Sequence, residues 1–188
     1  MDKSQYRQMM LNTRISSDEI NNCINKKLVN FLSNYESKHI AGYIAMRKEV
    51  DILPSLAYFS KQCSIYMPSI VNQKQALIFK PWSTQTQLRS SLYGTLEPNV
   101  KANCSPDFFD IDLDIMLIPC VGVFKQESSI YRIGYGGGFY DRTIAELKKI
   151  NSKFKTIGIF HQSHIPNNKE IAINADCYDM PLDYIITP

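Results

Sequence analysis

Four glycines fall within five positions, Gly134-Tyr-Gly-Gly-Gly138, and a segment of helical period follows at once. Glycine reaches positive φ and carries no Cβ, so this run forces a tight bend and leaves backbone N–H groups free to turn inward. From Phe139 onward, Tyr140, Ile144, Leu147 and Ile150 recur at helical spacing. The bend therefore opens a helix whose N-terminal N–H groups and dipole favour an anion. Arg132 precedes the bend and can fork onto phosphate oxygens. Asp141 falls in the first helical turn, and a carboxylate among phosphates is repulsive unless a cation such as Mg²⁺ intervenes. Together these point to a metal-bound nucleoside triphosphate. A plain turn with a helix-start aspartate is the competing reading. Neither familiar phosphate motif is present: no Gly-Lys-Ser/Thr closes the run, and Gly134, Gly136 and Gly138 are followed by Phe139 rather than completing Gly-x-Gly-x-x-Gly.

The rest of the chain alternates helical and apolar strand-like segments. Residues 2–14 read as an amphipathic helix carrying Lys3, Arg7 and Arg14. Ser16-Ser-Asp-Glu19 reads as a capping-box start for a helix reaching about Asn34. Strands are expected at 39–46, 64–68, 76–82, 115–119, 155–160 and 184–187, with a crossover helix at 52–62 and a β-excursion at 121–132. This pattern predicts a single three-layer α/β domain, residues 1–188, with a mainly parallel sheet whose ligands gather outside the carboxyl ends of its strands. At 188 residues a large core is available.

Composition excludes several classes of function. No apolar run approaches the ~18 residues of a membrane span, and the polar N-terminus lacks a secretory core, which places the protein in the cytoplasm, without a membrane partner. A net charge of +3, without a basic block, gives no reason to expect nucleic acid. Five widely spaced cysteines without a Cys-x-x-Cys pair fit reduced thiols. His161 and His164 lack a third ligand at zinc spacing and are expected at a polar rim or surface. The alternating acids Asp110, Asp112 and Asp114 are expected to form a strand-entry turn rather than a metal cluster. Trp82 is expected in core or rim, and 99–107 form a polar link.

The sequence Ile111-Asp-Leu-Asp-Ile-Met-Leu-Ile-Pro-Cys-Val-Gly-Val-Phe124, followed by Arg132-Ile-Gly-Tyr-Gly-Gly-Gly-Phe-Tyr-Asp141, resembles the signature of the 5-formyltetrahydrofolate cyclo-ligases, also called 5,10-methenyltetrahydrofolate synthetases, and the likeness runs from Lys3 to Thr187. It implies a Rossmann-like, NagB/CoA-transferase-like α/β/α fold, ATP and 5-formyltetrahydrofolate as substrates, Mg²⁺ as cofactor, and a monomer. Residue by residue, it implies that Lys3, Arg7, Arg132, Ile133, Gly134, Tyr135, Gly136, Gly137, Gly138, Phe139 and Tyr140 bind ATP, with Lys3 and Arg132 also catalytic. It further implies that Glu49 faces the pterin N–H donors, with Ile44 and Tyr93 as packing partners, and that Asp141 and Asp179 hold the metal, Asp183 being the competitor for the second place. The chain departs from the family pattern at Phe139, where tyrosine is common, and at the basic Met46-Arg47-Lys48.

The implied reaction explains the need for ATP. A formamide oxygen is a poor leaving group, so the formyl oxygen must first be phosphorylated before N10 can close the ring and expel phosphate. Such transfer depends on positioning and charge neutralisation more than on a protein nucleophile. Two other classes remain open at this point: a non-catalytic nucleotide- or folate-binding regulatory module, and a nicotinamide-dependent oxidoreductase, which the broken dinucleotide fingerprint disfavours.

Overall fold

The computed structural model describes residues 1–91, 93–100 and 112–188. In chain order its elements are α1 (Lys3–Thr13), α2 (Asp18–Leu32), β1 (His39–Ala41), α3 (Leu53–Phe59), β2 (Ser64–Ser69), β3 (Ile78–Trp82), β4 (Leu88–Ser90), β5 (Leu96–Pro98), β6 (Ile115–Pro119), β7 (Gly122–Gln126), β8 (Ser129–Ile133), α4 (Phe139–Ile150), β9 (Lys155–Ile159), α5 (Asn168–Ile171) and β10 (Tyr184–Ile186). Six strands form one sheet in the order β10-β9-β6-β1-β2-β3. All neighbours are parallel except the edge strand β3, which runs antiparallel to β2. Pro81 is tolerated there because an edge strand need not donate every N–H.

Strand side chains alternate between faces, which divides the interior in two. Ile40, Ile65, Met67, Ile115, Leu117, Ile157 and Ile159 pack with Leu28, Leu32, Leu56 and Phe59 of α2 and α3. Ala41, Met116 and Ile118 face the other way, toward Tyr6 and Met10 of α1, Ile144 and Leu147 of α4, and the β7–β8 hairpin. The three-layer, mainly parallel α/β arrangement is thus the one the sequence pattern predicts. Among the described residues, no helix is long and apolar enough to cross a membrane.

Several local expectations change. The strand expected over 39–46 stops at Ala41: Gly42 N–H makes one more sheet bond to Tyr66 O (2.8 Å), after which the chain leaves the sheet. Leu56 packs so close to Gly42 that a Cβ there would lie 2.4 Å from Leu56 Cδ1, and beyond it the Tyr43 hydroxyl donates to Val50 O, folding the following loop back on itself. The α2 cap is Ser17, one residue later than expected, with its hydroxyl accepting from Ile20 N–H. The crossover helix ends at Phe59, and Ile150 is exposed rather than packed. The β4–β5 hairpin and the short α5 have no counterpart in the sequence pattern. Asp114 behaves as a strand-entry residue, accepting from Lys38 and His39 N–H at the start of β1. Asp110, Cys104 and most of the 99–107 link lie outside the described residues; the other four cysteines are free thiols.

Candidate active site

Strand order reverses between β1 and β6, which continue to opposite sides of the sheet, and a cleft of about 520 Å³ opens at their carboxyl ends. This is the crevice that an open parallel sheet offers to a ligand. Tyr43 and Ile44 enter it after β1, Pro68 and Ile70 around the end of β2, and Pro119 at the end of β6.

One region of the cleft is the glycine bend. Gly136 (φ +100°) and Gly138 (φ +65°) take left-handed conformations that a side chain would strain, and Gly138 is the N-cap of α4 without any side-chain cap. The first amides of α4 are therefore uncapped by side chains, on the cleft side of the bend. Two arginines grip the bend by its carbonyls: Arg7 Nε donates to Gly134 O (2.7 Å), and Arg142 Nη2 donates to Gly137 O (3.0 Å) while lying over the Phe139 ring. Arg132 is buried, its guanidinium over the Tyr140 ring. Its Nη2 lies 2.8 Å from Asp141 Oδ2, close enough for charge attraction but without hydrogen-bond alignment, and its Nε has no partner. A buried, incompletely bonded guanidinium is a strong incentive to take up an anion.

Acids stand opposite these cations. Lys3 Nζ donates to Asp176 Oδ2 (2.6 Å) and to Asp179, and Asp179 Oδ2 also accepts from Asp176 N–H (2.7 Å). Burial lowers the Lys3 pKa, but the two carboxylates outweigh it and the net shift is upward. Asp141 Oδ1 accepts from Met180 N–H (3.2 Å), which ties α4 to the segment bearing Asp179. Asp183 points elsewhere, bonded to Thr156 and Lys148. No group of three or more His, Cys, Asp or Glu among the described residues could hold a metal by itself. The Asp141 and Asp179 pair suits an ion that takes its remaining oxygens from a phosphate, as Mg²⁺ does, and Lys3 already supplies positive charge to Asp179.

Beside the bend, on the side of Tyr135, the cleft holds one buried carboxylate. Met46 N–H donates to Glu49 Oε2 (3.1 Å) and Glu49 N–H donates to Met46 O (2.9 Å), closing a turn in which Arg47 and Lys48 both have positive φ. Two consecutive non-glycine residues in the left-handed region are strained, a feature that recurs at functional loops. Burial pushes the Glu49 pKa up to about 7, although Met46 N–H, Arg14, Tyr135 and Arg47 all draw it back down. Beside it stands Tyr135, under the Arg47 guanidinium (5.2 Å), while Ile44 lines the same cleft, as does Tyr93, which is edge-on to Phe139.

Every site residue named from the sequence, Lys3, Arg7, Ile44, Glu49, Tyr93, Arg132 to Asp141 and Asp179, lines this one cleft. The sequence reading missed Asp176, which shares Lys3, and Arg142, which holds the bend. It also left Arg14 without a role; Arg14 follows Arg7 by two helical turns, so heptad spacing was the signal available. His161, expected at a rim or surface, is buried at 4% exposure against Phe160, because its strand end tucks beneath the cleft. His164 is the exposed one of the two.

Comparison with known proteins places the geometry. The profile of the 5-formyltetrahydrofolate cyclo-ligase family matches residues 2–188. A 5-formyltetrahydrofolate cyclo-ligase of Mycoplasma pneumoniae is 29% identical, covering 99% of this chain and 98% of its own. One of Haemophilus influenzae is 25% identical over 96% and 92%. The solved 5,10-methenyltetrahydrofolate synthetase from Mycoplasma pneumoniae superposes with a TM-score of 0.68 at 26% identity, covering 99% of this chain and 98% of that one. The Aquifex aeolicus synthetase, at 24% identity with coverage of 98% and 89%, gives a TM-score of 0.72 and shares the fold.

Proposed function

The chain belongs to the 5-formyltetrahydrofolate cyclo-ligase family, and from that premise we propose how its cleft carries out the ATP-dependent closure of 5-formyltetrahydrofolate to 5,10-methenyltetrahydrofolate, with ADP and phosphate released. One observation carries the assignment of roles: residues from the two ends and the middle of the sequence converge on one cleft that combines an amide-lined bend, the cations Lys3, Arg7 and Arg132, and the buried carboxylate of Glu49.

The triphosphate lies along the bend from Gly134 to Gly138, with Ile133, Tyr135, Phe139 and Tyr140 completing the wall. Arg132 offers its unpartnered Nε and loosely aligned Nη2 to the transferring phosphoryl oxygens. Lys3 and Arg7, on one face of α1, add two more cations, and Lys3 exchanges its acids for phosphate as nucleotide enters. Asp141 and Asp179 would hold Mg²⁺, which when bound supplies neutralisation of phosphate charge. Glu49 accepts the two adjacent N–H donors of the pterin ring, and Ile44 and Tyr93 pack against the folate.

The sequence of bond changes follows from that placement. The formyl oxygen attacks the γ-phosphorus and ADP departs, leaving an imidate-like phosphate at N5. N10 then adds to the activated carbon, loses its proton, and phosphate leaves with the former formyl oxygen. Arg132 and Lys3 are catalytic in that they meet charge on the transferring group. The exposed Cys177 and half-buried Cys23 and Cys63, all unbridged, support a reducing, cytoplasmic setting, and we take the working unit to be a monomer acting on these small molecules alone.

The test is spectroscopic. Purified protein, 5-formyltetrahydrofolate, ATP and Mg²⁺ should generate the methenyl chromophore, and omission of ATP should abolish it. Nucleotide binding without any chromophore would return the chain to a non-catalytic binding module.

A further inference from the structure

Arg14 is the least expected charge in the molecule. It follows the last residue of α1 as its C-cap and turns inward, retaining 3% exposure. Among the described residues no carboxylate lies within ion-pair distance of it, and its Nε has no hydrogen-bond partner. A guanidinium buried without a counter-ion is costly, so the fold retains it against a stability penalty. What it does bond is informative. Nη1 donates to Tyr135 Oη (3.0 Å) and to Arg47 O (3.2 Å), and Nη2 donates to Cys120 O (2.9 Å). Those three acceptors belong to the glycine bend, the strained turn before Glu49, and the end of β6. One side chain thus ties together the three segments that frame the cleft.

We propose that Arg14 is a positioning residue for folate recognition, fixing the Glu49 turn against the Tyr135 side chain through its bonds to Tyr135, Arg47 and Cys120. This rests on the reading of Glu49 as the pterin acceptor. Tyr135, whose oxygen accepts from Arg14, is among the groups that draw the Glu49 pKa down, so Arg14 bears on Glu49 both by its own charge and through the ring it holds. Arg14 and Glu49 also line the same narrow void beneath the cleft, together with Tyr43, Cys120 and His161. The groups facing Glu49 are Arg14 from α1, Arg47 from its own turn, Tyr43 beyond β1, Cys120 beyond β6, Tyr135 from the bend, Tyr140 from α4 and His161 beyond β9. Of these, His161 stays neutral, since burial and then Arg14 push its pKa down to about 4. Burial likewise lifts the Cys120 thiol to about 12 and raises Tyr43, Tyr135 and Tyr140. The charges that oppose proton uptake by Glu49 are therefore Arg14, inside, and Arg47, at the surface.

Four variants test this in the whole protein, with KM for 5-formyltetrahydrofolate, KM for ATP and the pH profile of folate kcat/KM as readouts. Glu49→Gln tests the underlying reading: an unchanged folate KM overturns it, and the inference with it. Given a raised folate KM there, Arg14→Met should raise folate KM about tenfold, leave ATP KM within about threefold, and move the acidic limb of the profile up by about one pH unit. Arg14→Lys, which keeps the charge but not the fork, should restore the acidic limb and recover folate KM only in part. Tyr135→Phe should move the limb in the same direction as Arg14→Met but less far. If Arg14→Met weakens both substrates equally without moving the limb, or if Arg14→Lys and Tyr135→Phe both match wild type in limb position and folate KM, Arg14 is merely structural and the inference fails.

Discussion

Two regions of the cleft, the glycine bend and the Glu49 turn, handle charge in opposite ways. At the glycine bend, charges are numerous and arranged opposite one another, Lys3 with Asp176 and Asp179, and Arg132 with Asp141, on side chains that are mostly part-exposed. At the Glu49 turn there is one carboxylate, buried at 7% exposure among tyrosines and apolar groups, with no cation in ion-pair contact among the described residues. The first arrangement allows partners to be exchanged when a polyanion arrives, because each cation released from its acid finds a phosphate oxygen. The second makes recognition depend on whether a single group is ionised. A triphosphate can be held by redundancy, whereas a flat heterocycle is read by a few exact hydrogen bonds.

The contrast breaks first if its cationic region proves dispensable. Arg132→Ala and Asp141→Ala should each lower kcat/KM by 10² or more, about 2.7 kcal/mol of transition-state stabilisation, measured from methenyl absorbance at saturating folate. Wild-type rates in folded variants would remove both residues from the reaction. Next in size, Glu49→Gln should raise the folate KM about tenfold with the ATP KM little changed, since an amide offers only one acceptor to two donors. A comparable loss for ATP would mean that the two regions are not separate.

The buried carboxylate should also respond to pH. Glu49 titrates near 7 because burial raises it, so folate kcat/KM should fall as pH drops below about 7, and Glu49→Gln should flatten that limb. The stability consequence has the opposite direction. The folded state holds this proton more tightly than the unfolded chain, so the stabilisation is complete below the unfolded carboxyl pKa and is lost as pH rises through about 7. Thermal melts at pH 5 and pH 8 should therefore show wild type losing ground to Glu49→Gln at the higher pH, by at most about 3 kcal/mol. Smallest of all, Asp183→Asn should leave the Mg²⁺ dependence of the rate unchanged and cost about 1 kcal/mol of stability by weakening the bonds to Thr156 and Lys148. A changed metal requirement would transfer the role proposed for Asp179 to Asp183.

Legibility in the sequence followed the same division. The glycine bend announces itself because glycine takes the positive φ values at Gly136 and Gly138 without strain, and the apolar runs of β6 and β9 announce buried strands because both sheet faces are covered. Residues 43–46 look equally strand-like but leave the sheet, and the contacts that hold them there, such as the Tyr43 hydroxyl on Val50 O, form only on folding. Likewise, His161 looks like a surface residue, since nothing in its neighbours along the chain reports that it lines a buried void, and for Arg14 the spacing from Arg7 gives only a shared helix face. The β4–β5 hairpin is held by Glu97, which bonds Ser69, Lys80 and Arg89 across three strands, a cluster assembled only by folding.

The contact between Lys3 and Asp179 spans 176 positions of the polypeptide. During synthesis, β1, β2 and β6 can all emerge and pair while the nucleotide grip still lacks its final acid. A translation product that stops short of Asp179 can therefore hold a largely complete sheet with Glu49 already in its turn, yet leave Lys3 without that counterweight.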